Sequence, residues 1–518
     1  MDTVGLPGLM DAVLESRNTR LAVLLAVFAG FLIHALSRRR QQGQKPKLPP
    51  GPKGLPIVGN LFFISKCFKP DQCAQWAREY GPIFRINIGI GNVVILNDFE
   101  SIKTFMTRKD MVHRPSDWII RHSGVLGVAT LNGKPWVDNR RVCLNALREL
   151  GIGQTSMKER VREECQYLVK RIAEWAGVPN LLEEYLKPSV SNNITALVFG
   201  RRYDYDDARR KYMDDRLDET IDVLTKDSIV SVLPLWAFNL MALIPSSTCN
   251  FIKSLGHNLL QYTRNQVKEY RESQTEKGDW HFIDSYLKTI KEHEDDSNSS
   301  YTMDHLLGNV LSFFVAGSTT VRSAIQWNVL YLASQPDNLQ LMIQREIDEV
   351  VGKDRSPSWE DHENMPLTVA TIWEMFRWRT DSTFGGPREI IEDIIVGEYS
   401  IPKGTMLLPN VRAVHSDPRL WKNPEDFDPF RFLSEDGTCL IPKPEYLIPF
   451  SLGRRMCPGE ILGMAEVFLY VASIFQRFRV LPPEGANINL APRSQNFHVP
   501  FPQKLRFVPR CADNVTPL

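Results

Sequence analysis

The sequence predicts a mainly α-helical protein with a small β component, in which one large domain follows one transmembrane helix. Apolar residues recur at helical spacing over about 135–290 and 303–352. Short strand-like runs, separated by glycine and asparagine, occur over 60–100 and again beyond 380. An almost uninterrupted apolar stretch covers residues 21–36, and a basic block follows it directly.

Composition narrows the class of protein. The chain has 518 residues, of which 43% are hydrophobic and 24% charged, so it can bury a sizeable core. Sixty-two basic and sixty-one acidic residues give a net charge of +1, which argues against a nucleic-acid binder. Eight cysteines occur without CxxC or zinc-finger spacing, so a structural zinc site is not expected. Thiols so dispersed fit a reducing compartment better than a secreted scaffold.

The amino-terminal apolar stretch predicts a membrane anchor over 21–37. Positive flanks stay cytoplasmic, so the basic residues from 38 onward place 1–20 in the lumen and the rest in the cytosol. A cleaved signal peptide and a buried core helix are the alternatives, but the main basic block follows the apolar run instead of preceding it. A glycan at Asn193, Asn298 or Asn514, each in a sequon, would contradict the cytosolic placement.

A basic, proline-rich linker is predicted over 38–58, before a catalytic domain over 59–518. The stretch "KLPPGPKGLPIVGN" cannot continue a helix and favours an extended connector, although a plain surface loop has the same composition. Residues 291–302 are polar and are interpreted as a surface loop within the domain.

The stretch "FSLGRRMCPGE", Phe450 to Glu460, places one cysteine before a predicted helix. A cysteine binds iron as the thiolate, which amide donors and a helix amino terminus favour. Gly453 and Gly459 permit tight turns near the sulfur of Cys457, and Pro458 suits the first turn of the helix. Taken alone, a single cysteine before a helix is more often structural.

The whole pattern Phe-x-x-Gly-x-Arg-x-Cys-Pro-Gly resembles the haem-binding signature of the cytochrome P-450 family, the haem-thiolate monooxygenases. The resemblance implies a single, mostly helical haem domain with a small sheet. It also implies haem as the cofactor and Cys457 as the metal ligand, on the axis of the iron. Phe450, Arg455 and Gly459 match the other positions of this haem-binding loop.

Two further motifs resemble the family's proximal side. "WEMFRWR" contains Glu374 and Arg377 at i and i+3, a spacing that by itself usually marks a solvated helix face. The family pairs this helix with an arginine of a later segment, here "FDPFRF", which makes Arg431 the third member. By resemblance the three residues form a structural network for folding and haem retention.

Three arginines match positions at which the family binds the haem propionates. "PWVDNRR" supplies Trp136 and Arg140, "GGPREI" supplies Arg388, and Arg455 follows from the cysteine loop. Arginine suits this role because its planar guanidinium binds a carboxylate by two parallel contacts. Without the resemblance, each arginine would be interpreted as surface charge.

The distal helix is predicted in "FFVAGSTTVRSAIQW", which resembles the family's Ala-Gly-x-acid-Thr motif. By resemblance, Ala316 and Gly317 leave room for dioxygen, and the hydroxyl of Thr320 helps to deliver protons. Thr319 occupies the position of the usual acid. Three possibilities stay open: proton supply through Thr319 and water, poor coupling of electrons to product, or chemistry without dioxygen. Alternatively, the hydroxyl of Thr319 only donates a hydrogen bond to a carbonyl oxygen in the preceding turn of its own helix.

A lipophilic substrate is expected because the candidate pocket segments are rich in Phe, Leu, Ile and Val. By family position these segments are 117–129, 229–245, Phe313 and Phe314, 381–386 and 496–501. The segment 229–245 is expected either to dip into the membrane or to form a buried helix end.

The resemblance extends to the animal microsomal branch that includes steroid- and drug-hydroxylating enzymes. It implies insertion of one oxygen atom of dioxygen into a steroid, fatty acid or xenobiotic, at the endoplasmic reticulum membrane. NADPH would act indirectly, through a separate flavoprotein reductase, and the chain has no GxGxxG fingerprint of its own. The candidate basic residues for reductase docking are Lys134, Arg140, Arg141, Arg148 and Arg454.

Two alternatives stay open. One is a haem-thiolate isomerase or dehydratase that acts on a peroxide without using dioxygen, which Thr319 favours. The other is a membrane-held haem sensor or carrier without turnover.

Overall fold

The computed structural model describes residues 47–56, 58–60, 68–88, 91–116, 118–150, 155–225, 230, 233–273, 281–494 and 496–510, with scattered positions between 21 and 33. Those scattered positions are helical. The predicted lumenal segment 1–20 lies outside the described residues, as does most of the predicted anchor and the first half of the linker. Within the described part of the chain, no helix has both the length and the apolar character needed to cross a bilayer.

Helices dominate the domain, as the sequence predicts. In chain order they are α1 (Pro70–Tyr80), α2 (Phe99–Met106), α3 (Ile119–His122), α4 (Gly133–Leu150), α5 (Thr155–Ala173), α6 (Glu183–Phe199), α7 (Ala208–Thr225), α8 (Leu235–Met241), α9 (Thr248–Ser273), α10 (Phe282–Glu292), α11 (Met303–Ser334), α12 (Leu339–Val350), α13 (Pro366–Trp378), α14 (Val411–His415) and α15 (Glu460–Arg477). Short 3₁₀ turns occur at Trp359–Asn364, Pro429–Phe432 and Gly453–Arg455.

The β component is small, and most of its strands come from the beginning and the last third of the domain. Its strands are β1 (Ile83–Asn87), β2 (Asn92–Leu96), β3 (Asn180–Leu181), β4 (Arg388–Glu389), β5 (Ile394–Val396), β6 (Tyr399–Ile401), β7 (Met406–Pro409), β8 (Phe478–Leu481) and β9 (Lys504–Pro509). The largest sheet has the order β1-β2-β7-β4, in which β2 and β7 are parallel and the other pairs antiparallel. Because β2 and β7 are far apart in sequence, this sheet joins the beginning of the domain to its last third.

Helix α11 runs through the centre of the domain. It is 32 residues long, which corresponds to about 48 Å. Thr302 caps it, with its side chain accepting a hydrogen bond from the backbone N–H of His305 at 3.2 Å. It packs against α6, α15 and α9, and it is buried over most of its surface because it is apolar almost all round.

The described end of the proline-rich stretch lies against the domain. The backbone N–H of Arg85 in β1 donates to the carbonyl oxygen of Pro50 at 2.7 Å, and that of Ser400 donates to Lys47 at 3.0 Å. Pro49 is buried. This end of the predicted linker is therefore held by backbone hydrogen bonds to two sheets.

Candidate functional site

Cys457 lies in the short loop between the 3₁₀ turn Gly453–Arg455 and α15. Its backbone N–H donates to the carbonyl oxygen of Phe450 at 2.9 Å, which closes the loop. Gly453 has a φ of +74°, and a Cβ there would collide with the carbonyl oxygen of Met106, so this position requires glycine. Helix α15 begins at Glu460, and Pro458 therefore precedes the helix, whereas the sequence predicted it in the first turn.

The electrostatics of Cys457 differ from the prediction. Burial raises the pKa of its thiol above the ordinary value, and the nearby carboxylate of Glu460 adds to the rise. The amide of Gly459 and the guanidinium of Arg140 lower the pKa, but they do not offset burial. The protein alone therefore favours the thiol, and a metal ion bound to the sulfur would be needed to hold the thiolate.

A cavity of about 620 Å³ separates the cysteine loop from helix α11. Cys457 and Phe450 of the cysteine loop line it, together with Ala316, Gly317 and Thr320 of α11. Its volume is typical of a ligand site, and most of its lining is apolar. The structure thus brings the predicted proximal and distal residues together around one space.

The distal residues do not all face this cavity. Thr320 lines it, and its hydroxyl donates to the carbonyl oxygen of Ala316 at 2.6 Å, the back-bonding expected more of Thr319. Thr319 is 4% exposed and does not belong to the cavity wall, because successive helical residues point about 100° apart. At Gly317, an added Cβ would lie 2.5 Å from Ile194 Cδ1. Because Gly317 has no side chain, α6 can pack closely against α11 at this position. The predicted role of Gly317, leaving room for dioxygen, is a separate matter.

Positive charge collects at one side of the cavity. Arg114, Arg140 and Arg455 line it, and Arg388 lies directly behind them, almost fully buried. Burial, together with the charges of Arg388 and Arg140, lowers the pKa of Arg455 to about 8. Burial, with a smaller effect of Arg140, lowers that of Arg388 to about 10. Within the described residues no carboxylate pairs with any of the four, so this charge needs an anionic ligand.

Hydrogen bonds already fix several of these arginines. Arg455 donates from Nε to the carbonyl oxygen of Val112 at 2.7 Å and from Nη1 to that of Val128 at 3.1 Å. Arg140 donates from Nη2 to the carbonyl oxygen of Met456 at 2.7 Å. Arg455 thus links the cysteine loop to the segment before α4 by hydrogen bonds. These bonds restrict its side chain, so it is less able to reach a bound carboxylate than we predicted from the sequence.

Two buried donors next to the arginines have no acceptor in the described structure. Trp136 is 2% exposed and its indole N–H is unsatisfied, while the guanidinium of Arg455 stacks over its ring at 4.0 Å. The Nε of Arg388 is likewise buried without an acceptor. Unsatisfied buried donors are rare because each costs about 1–3 kcal/mol. Together with the unpaired positive charge, they fit the two carboxylates of the expected haem.

Glu374, Arg377 and Arg431 form one buried cluster behind the cysteine loop. Arg377 donates from Nε and Nη2 to the two oxygens of Glu374, both at 2.7 Å, and Arg431 donates from Nε at 3.2 Å. Arg377 also donates to the carbonyl oxygens of His415, Pro424 and Asp426. The cluster therefore ties α13 to the chain segment that leads into the cysteine loop.

The predicted substrate walls are partly assembled in this cavity. Residues from 117–129, 381–386 and 496–501 line it, as does Phe313. Phe314 was predicted with them but faces the other way, toward Phe199 of α6. No described residue of 229–245 belongs to the wall, because α8 packs on the outside of α9 and α3. The expectation for Phe314 was therefore wrong, and the described residues of 229–245 do not line the cavity, while 229, 231 and 232 lie outside the described residues.

Sequence reasoning missed Arg114. Its Nη1 donates to the carbonyl oxygen of Pro387 at 2.7 Å and its Nε to that of Ala129 at 3.2 Å. Burial lowers the pKa of Arg114, and the nearby positive charge of Arg388 lowers it further. In the sequence, "VHRPSDW" shows only a basic residue before a proline. The residue that accepts the hydrogen bond from Arg114, Pro387, is 273 positions away, so no local pattern could have indicated this contact.

Comparison with known proteins identifies related chains. The family model described as cytochrome P450 matches residues 49–507. Cytochrome P450 2J5 of Mus musculus is 32% identical over 510 residues, which cover 98% of this chain and 99% of that protein. Cytochrome P450 2H2 of Gallus gallus is 31% identical over 517 residues, which cover 98% of this chain and 100% of that protein. Cytochrome P450 2C20 of Macaca fascicularis is 32% identical over 465 residues, which cover 88% of this chain and 93% of that protein.

Proposed function

This chain belongs to the cytochrome P450 family, and from that premise we propose that it inserts one oxygen atom of dioxygen into a lipophilic substrate such as a steroid, fatty acid or xenobiotic. It is a cytochrome P450 monooxygenase, an oxidoreductase whose cofactor is haem with a cysteine thiolate on the iron. NADPH serves such enzymes through a reductase. In our proposal this reductase is a separate flavoprotein.

One observation carries the proposal: a single cavity is lined by Cys457 of the cysteine loop, by Thr320 of α11 and by arginines that have no carboxylate partner among the described residues. We assign Cys457 as the iron ligand because it is the cysteine of that cavity. Trp136, Arg140 and Arg388 would hold the haem carboxylates, since two of them have donors without acceptors and none has a carboxylate partner. Arg455 braces the same wall.

Bound haem supplies the iron at which dioxygen is activated, and electron donation by the thiolate favours cleavage of the oxygen–oxygen bond. The side chains of this chain organise the reaction around it. Ala316 leaves open space in the distal wall. The hydroxyl of Thr320 donates a hydrogen bond to the carbonyl oxygen of Ala316, so its oxygen is free to accept a hydrogen bond from cavity water. In this arrangement Thr320 positions the water that delivers protons.

Replacement of Cys457 tests the assignment of the iron ligand. The reduced wild-type protein treated with carbon monoxide should show the strongly red-shifted haem band of thiolate ligation. Cys457→Ser should lose this band, while Cys439→Ser, at an exposed cysteine, should keep it. Persistence of the band in Cys457→Ser would refute the assignment.

The isomerase or dehydratase alternative rests on Thr319, which brings no acid to the distal helix. Turnover with reductase and NADPH under labelled dioxygen separates the two functions. Product that carries one labelled oxygen atom supports the monooxygenase, whereas rearrangement of an added peroxide without NADPH supports the alternative. Turnover of either kind excludes a haem sensor or carrier.

We also propose a membrane-anchored topology, with 21–37 as a single-pass anchor at the endoplasmic reticulum and the catalytic domain in the cytosol. The apolar side chains of Leu235, Trp236 and Leu243 are exposed around α8 and would rest on lipid. Asn193 is 2% exposed within α6 and cannot carry a glycan in the folded domain, so Asn298 is the informative sequon among the described residues. A glycan at Asn298 would contradict the cytosolic placement.

For the reductase we propose a basic docking surface formed by Lys134, Arg141, Arg148 and Arg454. All four side chains are exposed, and Arg454 lies in the cysteine loop. Arg140, the fifth predicted member, points instead to the carbonyl oxygen of Met456. Arg141→Glu combined with Arg148→Glu should slow reduction by the reductase, and the effect should shrink at high salt.

A further inference from the structure

Asp381 is an acidic residue in the otherwise apolar part of the cavity wall. It follows α13 and lines the cavity together with Phe384, Phe497 and Trp327. Its backbone is fixed, because its carbonyl oxygen accepts a hydrogen bond from the N–H of His498 at 2.9 Å. The next residue, Ser382, forms a β-bridge with Phe497. The carboxylate therefore stands at a defined place in the wall.

No partner for this carboxylate exists in the described part of the chain. No hydrogen bond or ion pair reaches its oxygens among those residues. Burial raises the pKa of Asp381 to about 6, without a contribution from a neighbouring charge. The group is consequently mostly ionised at neutral pH.

Arg379 borders the cavity two residues earlier but does not neutralise Asp381. Its guanidinium lies 3.3 Å from the centre of the Trp378 ring and donates to the carbonyl oxygen of Leu490 at 2.9 Å. An ionised carboxylate in an apolar wall is unfavourable unless a ligand pairs with it. The cavity lining also contains Glu466, but burial raises its pKa to about 8, so this carboxyl group is mostly protonated at neutral pH. Asp381 is therefore the ionised carboxylate of the lining, and no described side chain pairs with it.

We propose that the substrate is a lipophilic amine whose protonated nitrogen pairs with Asp381. The inference rests on the proposed monooxygenase function and deepens it, because it names the substrate class of the same cavity. Aromatic walls receive the apolar body of the molecule, and the charge pair fixes one end. Asp381 and Cys457 line the same cavity, so this anchor shares the space with the reaction centre. Pairing at Asp381 would therefore select the carbon that is oxidised.

A pair of isosteric probes tests this proposal in the haem-loaded, full-length protein. The first probe is (4-phenylbutyl)trimethylammonium, which carries a permanent charge and no lone pair that could bind iron. The second probe has a carbon atom in place of the nitrogen and is neutral. Binding of each is measured by equilibrium dialysis and by the shift of the haem spectrum. The wild-type protein should prefer the charged probe by about tenfold, or about 1.4 kcal/mol.

Variants identify Asp381 as the source of this preference. Asp381→Asn should remove the preference without weakening binding of the neutral probe, and Asp381→Glu should retain part of it. Asp204→Asn, at an acid whose side chain is 87% exposed, is the matched control and should bind both probes as the wild type does.

Two results would overturn the proposal: a wild-type protein that does not prefer the charged probe, or full preference for the charged probe in Asp381→Asn. The first result comes from the wild-type protein alone, so the proposal can be tested even if Asp381→Asn does not fold. Loss of the red-shifted carbon monoxide band in the wild type would instead refute the proposed function. An intact band with no charge preference refutes the amine alone.

Discussion

Arg140 of α4 donates from Nη2 to the carbonyl oxygen of Met456 at 2.7 Å, and Met456 directly precedes Cys457. This contact joins the helix that carries Trp136 to the loop that carries the proposed iron ligand, across 316 positions of sequence. This hydrogen bond therefore fixes the position of the cysteine loop relative to the arginines at the side of the cavity.

Replacing Arg140 should weaken haem retention. Arg140→Leu removes both the contact to Met456 and one unpaired charge, and we expect haem loss to accelerate by about tenfold, since hydrogen bonds of charged groups contribute about 1.5–3 kcal/mol. Arg141→Leu, in the next residue of the same helix, is the control because its side chain is 65% exposed. Transfer of haem to an excess of a haem-free globin gives the rate. Equal rates in the two variants would contradict the role of Arg140.

Trp136→Phe separates haem binding from folding. The indole N–H is buried without an acceptor, so losing this group costs the haem-free protein nothing, and only the smaller volume of the ring should destabilise that form, by about 1 kcal/mol. If the N–H meets a haem carboxylate, the same change should lower haem affinity by about 1–3 kcal/mol. Urea unfolding of the haem-free chain and haem titration measure the two effects. A loss of stability without any loss of haem affinity would show that Trp136 serves packing alone.

Glu374→Ala should be strongly destabilising. The change leaves the guanidinium of Arg377 buried without its carboxylate, and breaking such a pair costs about 3–5 kcal/mol. Urea unfolding with the haem spectrum as readout measures this loss. Glu445→Ala breaks the exposed pair with Lys103 and should leave the unfolding midpoint unchanged. Similar midpoints for Glu374→Ala and the wild type would contradict a structural role of the cluster.

Thr320 and Thr319 should differ in their effect on turnover. Thr320 faces the cavity, so Thr320→Ala should divert electrons from product to hydrogen peroxide, several-fold above the wild type. Thr319 is buried outside the cavity wall, and Thr319→Val should change this ratio little. The measurement compares NADPH consumed, peroxide released and product formed. A larger loss of coupling in Thr319→Val would show that proton supply runs through Thr319.

His415 should make stability fall in mild acid. Burial, with smaller effects of Arg377 and Lys443, lowers the pKa of His415 to about 3. The unfolded chain binds a proton there below about pH 6.5, whereas the folded chain does not until about pH 3. Stability is therefore complete above pH 6.5 and falls as the pH drops toward 3, by up to about 1.4 kcal/mol per pH unit.

Urea unfolding between pH 5 and 7.5 measures this dependence. His415→Gln should flatten it, because the titrating group is gone. His257→Gln, at an exposed histidine of α9, is the control and should keep the wild-type slope. An unchanged slope in His415→Gln would assign the acid sensitivity to other groups.

The predictable parts of the fold and site are those whose signal is local in sequence. Helical spacing and strand-like runs predicted a mainly helical domain with a small sheet, which the structure confirms. Glu374 and Arg377 lie one helical turn apart, so their pairing follows from spacing. The tight turn at Gly453 was predicted from the glycine itself, and the structure shows a positive φ there. The anchor over 21–37 stays a prediction, because most of it lies outside the described residues.

Other parts depend on which surfaces meet in the folded chain. The sequence by itself determined the family, the cysteine loop and the residues that can carry charge or bind iron, because these are contiguous patterns of chemistry. Tertiary structure alone decided that Thr320 and not Thr319 faces the cavity, that Arg114 joins the other arginines and that Asp381 has no partner in the described wall. The physical reason is that a side chain's charge and contacts are set by neighbours far away in sequence. Helical phase and packing choose those neighbours.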